Sequence, residues 1–285
     1  MAGFRRILAA VDFSPPTADV LAAAGAFAQA WQARLDVLHV LPLRDCDEAG
    51  PRTQLETIVP PALAGLVDAR RMTRALAPDL GILEAAQQSG ADLIAVGTHG
   101  RTGLPHIRLG SVAARVVENA PVPVLAVRAA GTSRGGSMVQ FKRILCPVDF
   151  SEHSSAALAQ AAEVARKFGA ELTLLHVVEP ILYPVAYGLP PVSPVDYESV
   201  ARESASAALE RLAAGLAGLK PSTRVDAGAA SQRISEVARE EGFDLIVLAT
   251  HGYTGLKHVL LGSTAERVVR FAPCAVLVVK AARAK

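Results

Sequence analysis

The sequence predicts an α/β protein of two tandem, doubly wound domains, each a mostly parallel five-stranded sheet flanked by helices. Three observations carry this expectation. First, the 285-residue chain repeats itself once. Phe4-Arg-Arg-Ile-Leu-Ala-Ala-Val-Asp-Phe-Ser14 returns as Phe141-Lys-Arg-Ile-Leu-Cys-Pro-Val-Asp-Phe-Ser151, identical at 8 of 11 positions. Leu35-Asp-Val-Leu-His-Val40 returns as Leu172-Thr-Leu-Leu-His-Val177, and Asp92–Arg128 returns as Asp244–Lys280 with 22 of 37 positions identical. Second, short apolar runs alternate with helical segments in each copy, the pattern of strand–helix–strand units with right-handed crossovers. Third, each copy has the length of an ordinary domain, about 100–150 residues, so each can bury its own core. The stretch Ala129-Ala-Gly-Thr-Ser-Arg-Gly-Gly-Ser137 reads as a flexible linker, giving expected domains at residues 1–130 and 141–285 with 131–140 between them. The offset between the copies grows from 137 to 152 residues, so the second carries 15 more, around Tyr183-Pro-Val-Ala-Tyr-Gly-Leu-Pro-Pro191.

The elements follow in order. Ile7–Val11 and Ile144–Val148 are aliphatic runs without polar alternation, as parallel strands covered on both faces require. Ser14-Pro-Pro and Ser151-Glu-His then supply N-caps for a first helix. Leu35–Val40 and Leu172–Val178 form the second strand. Thr223–Gly228 is the expected third strand of the second copy. Its partner near Met72–Ala77 reads poorly, with Arg and Ala where β-branched residues belong. Leu80–Ser89 and Ile234–Glu241 are helices ended by Gly90 and Gly242. Leu93–Val96 and Leu245–Leu248 are the fourth strands. Ser111–Asn119 and Ser263–Arg270 are the last helices, and Val124–Val127 and Val276–Val279 the last strands.

Composition narrows the function. With 51% hydrophobic residues, 20% charged, a net charge of +2 and no Lys/Arg run, nothing points to nucleic acid or an anionic membrane as a partner. Cys46, Cys146 and Cys274 lie far apart and form no C-x-x-C pair, which suits reduced thiols. Cys146 and Cys274 are expected to pack as small hydrophobes. The run Ile7–Val11 is too short for a signal peptide core, and no segment approaches the ~20 apolar residues of a membrane span. A cytoplasmic location is the expectation.

In a doubly wound sheet, ligands bind outside the carboxyl ends of the strands, where the strand order reverses. After the fourth strand comes Gly97-Thr-His-Gly100, then nine residues, then Gly110-Ser111 opening a helix; the second copy has Ala249-Thr-His-Gly252, nine residues, then Gly262-Ser263. Glycines let backbone N–H groups approach phosphate oxygens, and a serine at a helix start adds a hydroxyl beside the positive end of the helix dipole. Arg101 and Arg108 add charge in the first copy, where the second has Tyr253 and Leu260. Neither G-x-G-x-x-G nor the P-loop pattern occurs. Glycines of this kind also serve simply as turns, and Ser111 as a cap. That both copies keep the spacing, at the binding edge, favours a phosphate site.

Asp12 and Asp149 end the first strand at the same edge. Each can accept from a ligand amino or hydroxyl group, or cap the following loop, and the two roles are compatible. His39/His176, His99/His251 and His106/His258 match between copies, but no H-x-x-x-H or H-E-x-x-H spacing marks a metal site. His99 and His251 fall inside the phosphate loop. No P-loop lysine, fixed carboxylate pair or G-x-S-x-G supports catalysis.

The pattern Gly97-x2-Gly100-x9-Gly110-Ser111, with Val-Asp-Phe-Ser after the first strand and Leu-His-Val at the second, resembles the universal stress protein family in tandem form, an adenine nucleotide alpha hydrolase-like fold. The resemblance implies ATP, with magnesium, at the C-terminal edge of the sheet. It places the phosphate loop on Val96, Gly97, Thr98, His99, Gly100, Arg101 and Thr102 with Gly110, Ser111 and Val112. In the second copy the loop falls on Leu248, Ala249, Thr250, His251, Gly252, Tyr253 and Thr254 with Gly262, Ser263 and Thr264. The adenine and ribose end falls on Ala10, Asp12 and Val40, and on Pro147, Asp149 and Val177. It further implies antiparallel pairing of the last strands, here copy against copy in one chain as a pseudo-dimer, with homodimers of whole chains left open. Two departures stand out: Ala249 replaces a motif glycine, crowding the phosphates or forcing another backbone angle, and Leu76 stands where Gly228 ends the third strand. Three functions remain open from sequence: a non-catalytic ATP-binding stress protein, an enzyme with slow ATP hydrolysis or nucleotidyl chemistry, and a structural dimerisation module with empty sites.

Overall fold

The computed structural model describes residues 3–45, 47–98, 109–128, 139–180, 194–250 and 262–280. In the first copy the order is β1 (Arg6–Val11), α1 (Thr17–Trp31), β2 (Arg34–Pro42), α2 (Ala49–Thr57), β3 (Val67–Ala75), α3 (Pro78–Ser89), β4 (Leu93–Gly97), α4 (Ser111–Asn119) and β5 (Val124–Val127). The second repeats it as β6 (Arg143–Pro147), α5 (Glu152–Phe168), β7 (Glu171–Val178), α6 (Pro194–Ala214), β8 (Ser222–Ala227), α7 (Ala230–Glu240), β9 (Leu245–Ala249), α8 (Ser263–Phe271) and β10 (Ala275–Val279).

The ten strands form one sheet in the order β3-β2-β1-β4-β5-β10-β9-β6-β7-β8. Every pairing within a copy is parallel, with strand order reversing between β1 and β4 and between β6 and β9. The joint is antiparallel, Leu125 opposite Leu277, flanked by Ala126–Val276 and Val124–Val278. The strands of the two copies therefore point in opposite directions. This satisfies the edge groups that each last strand would otherwise expose, as the sequence leads one to expect.

Alternating strand residues feed two apolar layers, one under each face of the sheet. Ile7, Ala9 and Val11 pack with α1 and α5, whereas Leu8 packs with the layer under α3, α4, α7 and α8. Both layers run unbroken from one copy into the other. Where α1 meets α5, Phe27 contacts the rings of Phe4, Trp31, Phe141 and Phe168 at 5.2–5.9 Å between centroids. Trp31 Nε1 donates to Glu163 of the other copy at 2.9 Å. Two matched cations complete the joint. Arg128 donates to the Ala272 carbonyl (3.1 Å) at the end of α8, and Lys280 to the Val117 and Glu118 carbonyls at the end of α4. Each copy thus caps the negative helix end of the other. Burial lowers the Lys280 ammonium to about 8, with the charge of Glu118 opposing the fall.

Several elements differ from the sequence reading. The third strand of the first copy is Val67–Ala75, earlier than Met72–Ala77. As an outer strand it leaves Asp68, Arg70 and Arg71 exposed, so β-branched residues are not demanded, and charges on such an edge oppose sheet extension. α2 and α6 have no counterpart in the sequence reading. α2 buries only Leu55, which leaves no apolar stripe to detect. Ser151 does cap α5, accepting from Ser154 N at 3.1 Å, but Ser14 does not cap α1. Pro15 and Pro16 remove two N–H groups there, so α1 starts at Thr17, whose N–H goes to the Ser14 carbonyl (2.9 Å). Cys146 is buried and Cys274 partly so, and burial pushes both thiols up to about 12. Cys46 lies outside the described residues.

Candidate functional site

Each copy has one cleft at its switch point. The first, about 380 Å³, is lined by Ala10, Asp12, Val40, Val96, Gly97, Gly110, Ser111 and Val112, among others. The second, about 540 Å³, is lined by Pro147, Asp149, Val177, Leu248, Ala249, Thr250, Gly262, Ser263 and Thr264, among others. Residues far apart in sequence but assigned to one site therefore meet at one cleft in each copy. Thr98 is buried and is not among the lining residues of the first cleft. His99, Gly100, Arg101 and Thr102, and His251, Gly252, Tyr253 and Thr254, lie outside the described residues, as do His106, Arg108, His258 and Leu260.

The strand-end carboxylates sit in a strained turn. Asp12 Oδ1 accepts from the Ser14 N–H (3.0 Å) and the Ser14 hydroxyl, and Asp149 Oδ1 from the Ser151 N–H (3.0 Å) and hydroxyl (2.6 Å). Between them Phe13 and Phe150 adopt left-handed backbone at φ 61° and 62°. A bulky residue there costs on the order of 1–3 kcal/mol and persists only when its surroundings over-determine it. Here the histidines of the second strands help to supply that constraint. His39 Nδ1 lies 2.8 Å from the Val11 carbonyl and its ring is 4.3 Å from that of Phe13. In the second copy His176 lies 2.7 Å from the Val148 carbonyl and its ring 4.6 Å from Phe150. The Val-Asp-Phe-Ser and Leu-His-Val sequences are thus two halves of one device that holds a carboxylate at the cleft.

The other wall is a helix start. Gly110 and Gly262 precede α4 and α8 with φ of −59° and −67°, and neither has a side chain with which to cap the first-turn N–H groups. Gly110 N–H donates to the Thr98 carbonyl and Gly262 N–H to that of Thr250, each at 2.7 Å. Thr98 and Thr250 in turn donate to the Val127 and Val279 carbonyls of the last strands. The two ends of each intervening loop are therefore pinned together, beside a helix terminus suited to an anion. Neither Gly97 nor Ala249 has positive φ, so Ala249 continues β9 without the altered backbone angle considered from sequence. Gly228 does sit at φ 131°, while its counterpart Leu76 follows β3 without positive φ and stands 82% exposed. Sequence reasoning missed Thr17, Pro51 and Pro78 in the first cleft and Glu179, Ser231 and Arg267 in the second. Their helices or loop positions bring them in, with no local motif to mark them. Among the described residues no helix is long and apolar enough to cross a membrane.

The comparisons with known proteins agree with this architecture. The sequence profile of the universal stress protein family matches residues 3–128 and again 140–280. Universal stress protein MJ0531 of Methanocaldococcus jannaschii is 37% identical over 49% of this chain and 82% of its own. Universal stress protein A homolog 1 of Coxiella burnetii is 35% identical over 50% of this chain and 97% of its own. Each relative thus aligns with about half of the tandem chain. Among solved structures, a universal stress protein from Archaeoglobus fulgidus covers 96% of this chain and 98% of its own, at TM-score 0.65 and 24% identity. A protein from Pseudomonas aeruginosa PAO1 covers 97% of this chain and 92% of its own, at TM-score 0.72 and 19% identity. With two matched copies, one continuous doubly wound sheet and a cleft at each switch point, the chain belongs to the universal stress protein family.

Proposed function

We propose that both clefts bind adenine nucleotide, ATP with magnesium, and that the protein acts as a nucleotide-responsive stress and regulatory binding protein without fast turnover. The observation that carries this reading is the convergence, twice in one chain, of a strand-end carboxylate and a glycine-led helix start at a partly apolar cleft. The cleft volumes fall in the range of small-molecule sites, roughly 300–1,000 Å³. Helix starts of this kind suit phosphates. Val40 and Val177 suit a base, and Asp12 and Asp149 a ribose hydroxyl or exocyclic amine. Because these carboxylates already accept from Ser14 and Ser151, they are better suited to positioning a ligand than to activating a nucleophile.

A ligand bound only by the folded state, supplied at a hundred times its dissociation constant, adds ~2.7 kcal/mol of stability. Magnesium ATP is therefore expected to raise the melting temperature by several degrees, and GTP by less if the base is read. No shift with any adenine nucleotide would sink the reading. Labelled ATP retained by the protein and recovered intact supports binding without turnover, whereas rapid conversion to ADP would replace that reading with the enzyme.

Ser111→Ala tests the helix start directly. Loss of one hydrogen bond to a charged group, on the order of 1.5–3 kcal/mol, lowers affinity roughly ten- to hundredfold. Calorimetry on the full chain should show this at one class of site while Ser263 leaves the other intact. Unchanged affinity removes Ser111 from the site.

A further inference from the structure

Among the described lining residues, an arginine is present in the second cleft and in the first there is none. Arg115 in α4 and Arg267 in α8 occupy matching positions, each four residues after the serine that opens its helix. Arg115 Nη1 lies 3.6 Å from Oδ1 of Asp79, whose side chain is 8% exposed in the first turn of α3. It does not line the first cleft. The matching position in α7 is Ser231, whose hydroxyl cannot balance a guanidinium. Arg267 forms no ion pair among the described residues and lines the second cleft together with Ser231, Ser263 and Thr264. Ser263 and Arg267, at i and i+4, share a face of α8. With serine in place of the acidic partner, the Arg267 guanidinium has no carboxylate at that position of α7 to engage and is left at the cleft beside the helix start.

We propose that Arg267 is an anion-binding residue of the second cleft, contacting the polyphosphate of its ligand, and that the first cleft has no equivalent because Asp79 engages Arg115. This rests on the nucleotide reading of the clefts. Two consequences follow from the chemistry. The contribution acts on phosphate and not on the nucleoside, and, since Arg267 is exposed, salt weakens it.

The test is calorimetric titration of the full chain with magnesium ATP and, separately, adenosine, using wild type, Arg267→Gln and Arg115→Gln. Arg267→Gln is expected to weaken ATP about tenfold at one class of site, toward the lower end for a charged contact, and to leave adenosine within about twofold. Arg115→Gln leaves ATP unchanged at both sites. Three results overturn the proposal while leaving the nucleotide reading in place: ATP binding to Arg267→Gln that matches wild type, an equal loss in Arg115→Gln, or an equal loss for adenosine. If wild type binds neither ligand, the nucleotide reading falls and the proposal with it.

Discussion

Leu125→Asp combined with Leu277→Asp is expected to abolish the continuous sheet and, with it, cooperative folding of the whole chain. The two leucines face each other across the only antiparallel pairing among the described strands, and both are fully buried. An unpaired carboxylate placed there loses its water without gaining a partner, a cost on the order of 4–5 kcal/mol for each substitution. Domains are stable by roughly 5–15 kcal/mol, so the pair removes most of that margin. The two substitutions touch, so their costs need not add. Small-angle scattering should report an expanded chain, and denaturant melts a lower midpoint for both copies. A double variant that stays compact and loses less than about 2 kcal/mol would refute the role assigned to the joint.

Asp36→Ala should cost about 3 kcal/mol, near the lower limit for removing one member of a buried ion pair. The Asp36 carboxylate is fully buried in β2 and takes Arg6 Nη1 on both oxygens (3.2 and 2.9 Å) and Arg71 Nε at 3.0 Å. Its hydrogen bonds help raise the Arg6 guanidinium above its usual value. Arg71 is 43% exposed and can turn to water, but Arg6, at 19%, keeps among the described residues only the half-exposed Asp68 at 3.2 Å as an ion-pair partner. The first copy should then melt ahead of the second, splitting one denaturation curve into two, since Thr173 in the second copy uses no such pair. Arg71→Ala, by contrast, should cost under about 1 kcal/mol, as exposed pairs do. Equal costs for the two variants would show that the network is not organised around Asp36.

Much of this architecture is legible in the sequence because the chain states it twice. Buried parallel strands such as Ile7–Val11 announce themselves by unbroken aliphatic runs, and the glycine–serine spacing marks the helix starts at the clefts. Elements that bury little are harder to read. α2 contributes one buried leucine, and β3 is half in water with arginines along it, so neither carries the periodicity that reveals an element. At the clefts, the Asp-Phe-Ser turn is visible as a repeated motif, but its left-handed phenylalanine and the histidine beneath it are not. That coupling exists only once β1 and β2 lie side by side. Arg115 and Arg267 look alike in sequence, and only their surroundings on α3 and α7 separate them.

The antiparallel joint also decides what two bound ligands would feel of each other. The switch points, between β1 and β4 and between β9 and β6, lie four strand spacings apart across the sheet, about 19 Å at roughly 4.8 Å each. The reversal of direction puts the two carboxyl ends on opposite rims, which adds further distance. Counterions in physiological salt screen charge over about 8 Å. Two polyphosphates would therefore sit beyond one another's electrostatic reach. A chain joined with its copies side by side in parallel would have set both on one rim. Here a second ligand would arrive without repulsion from the first, and a single flat partner could not cover both clefts at once.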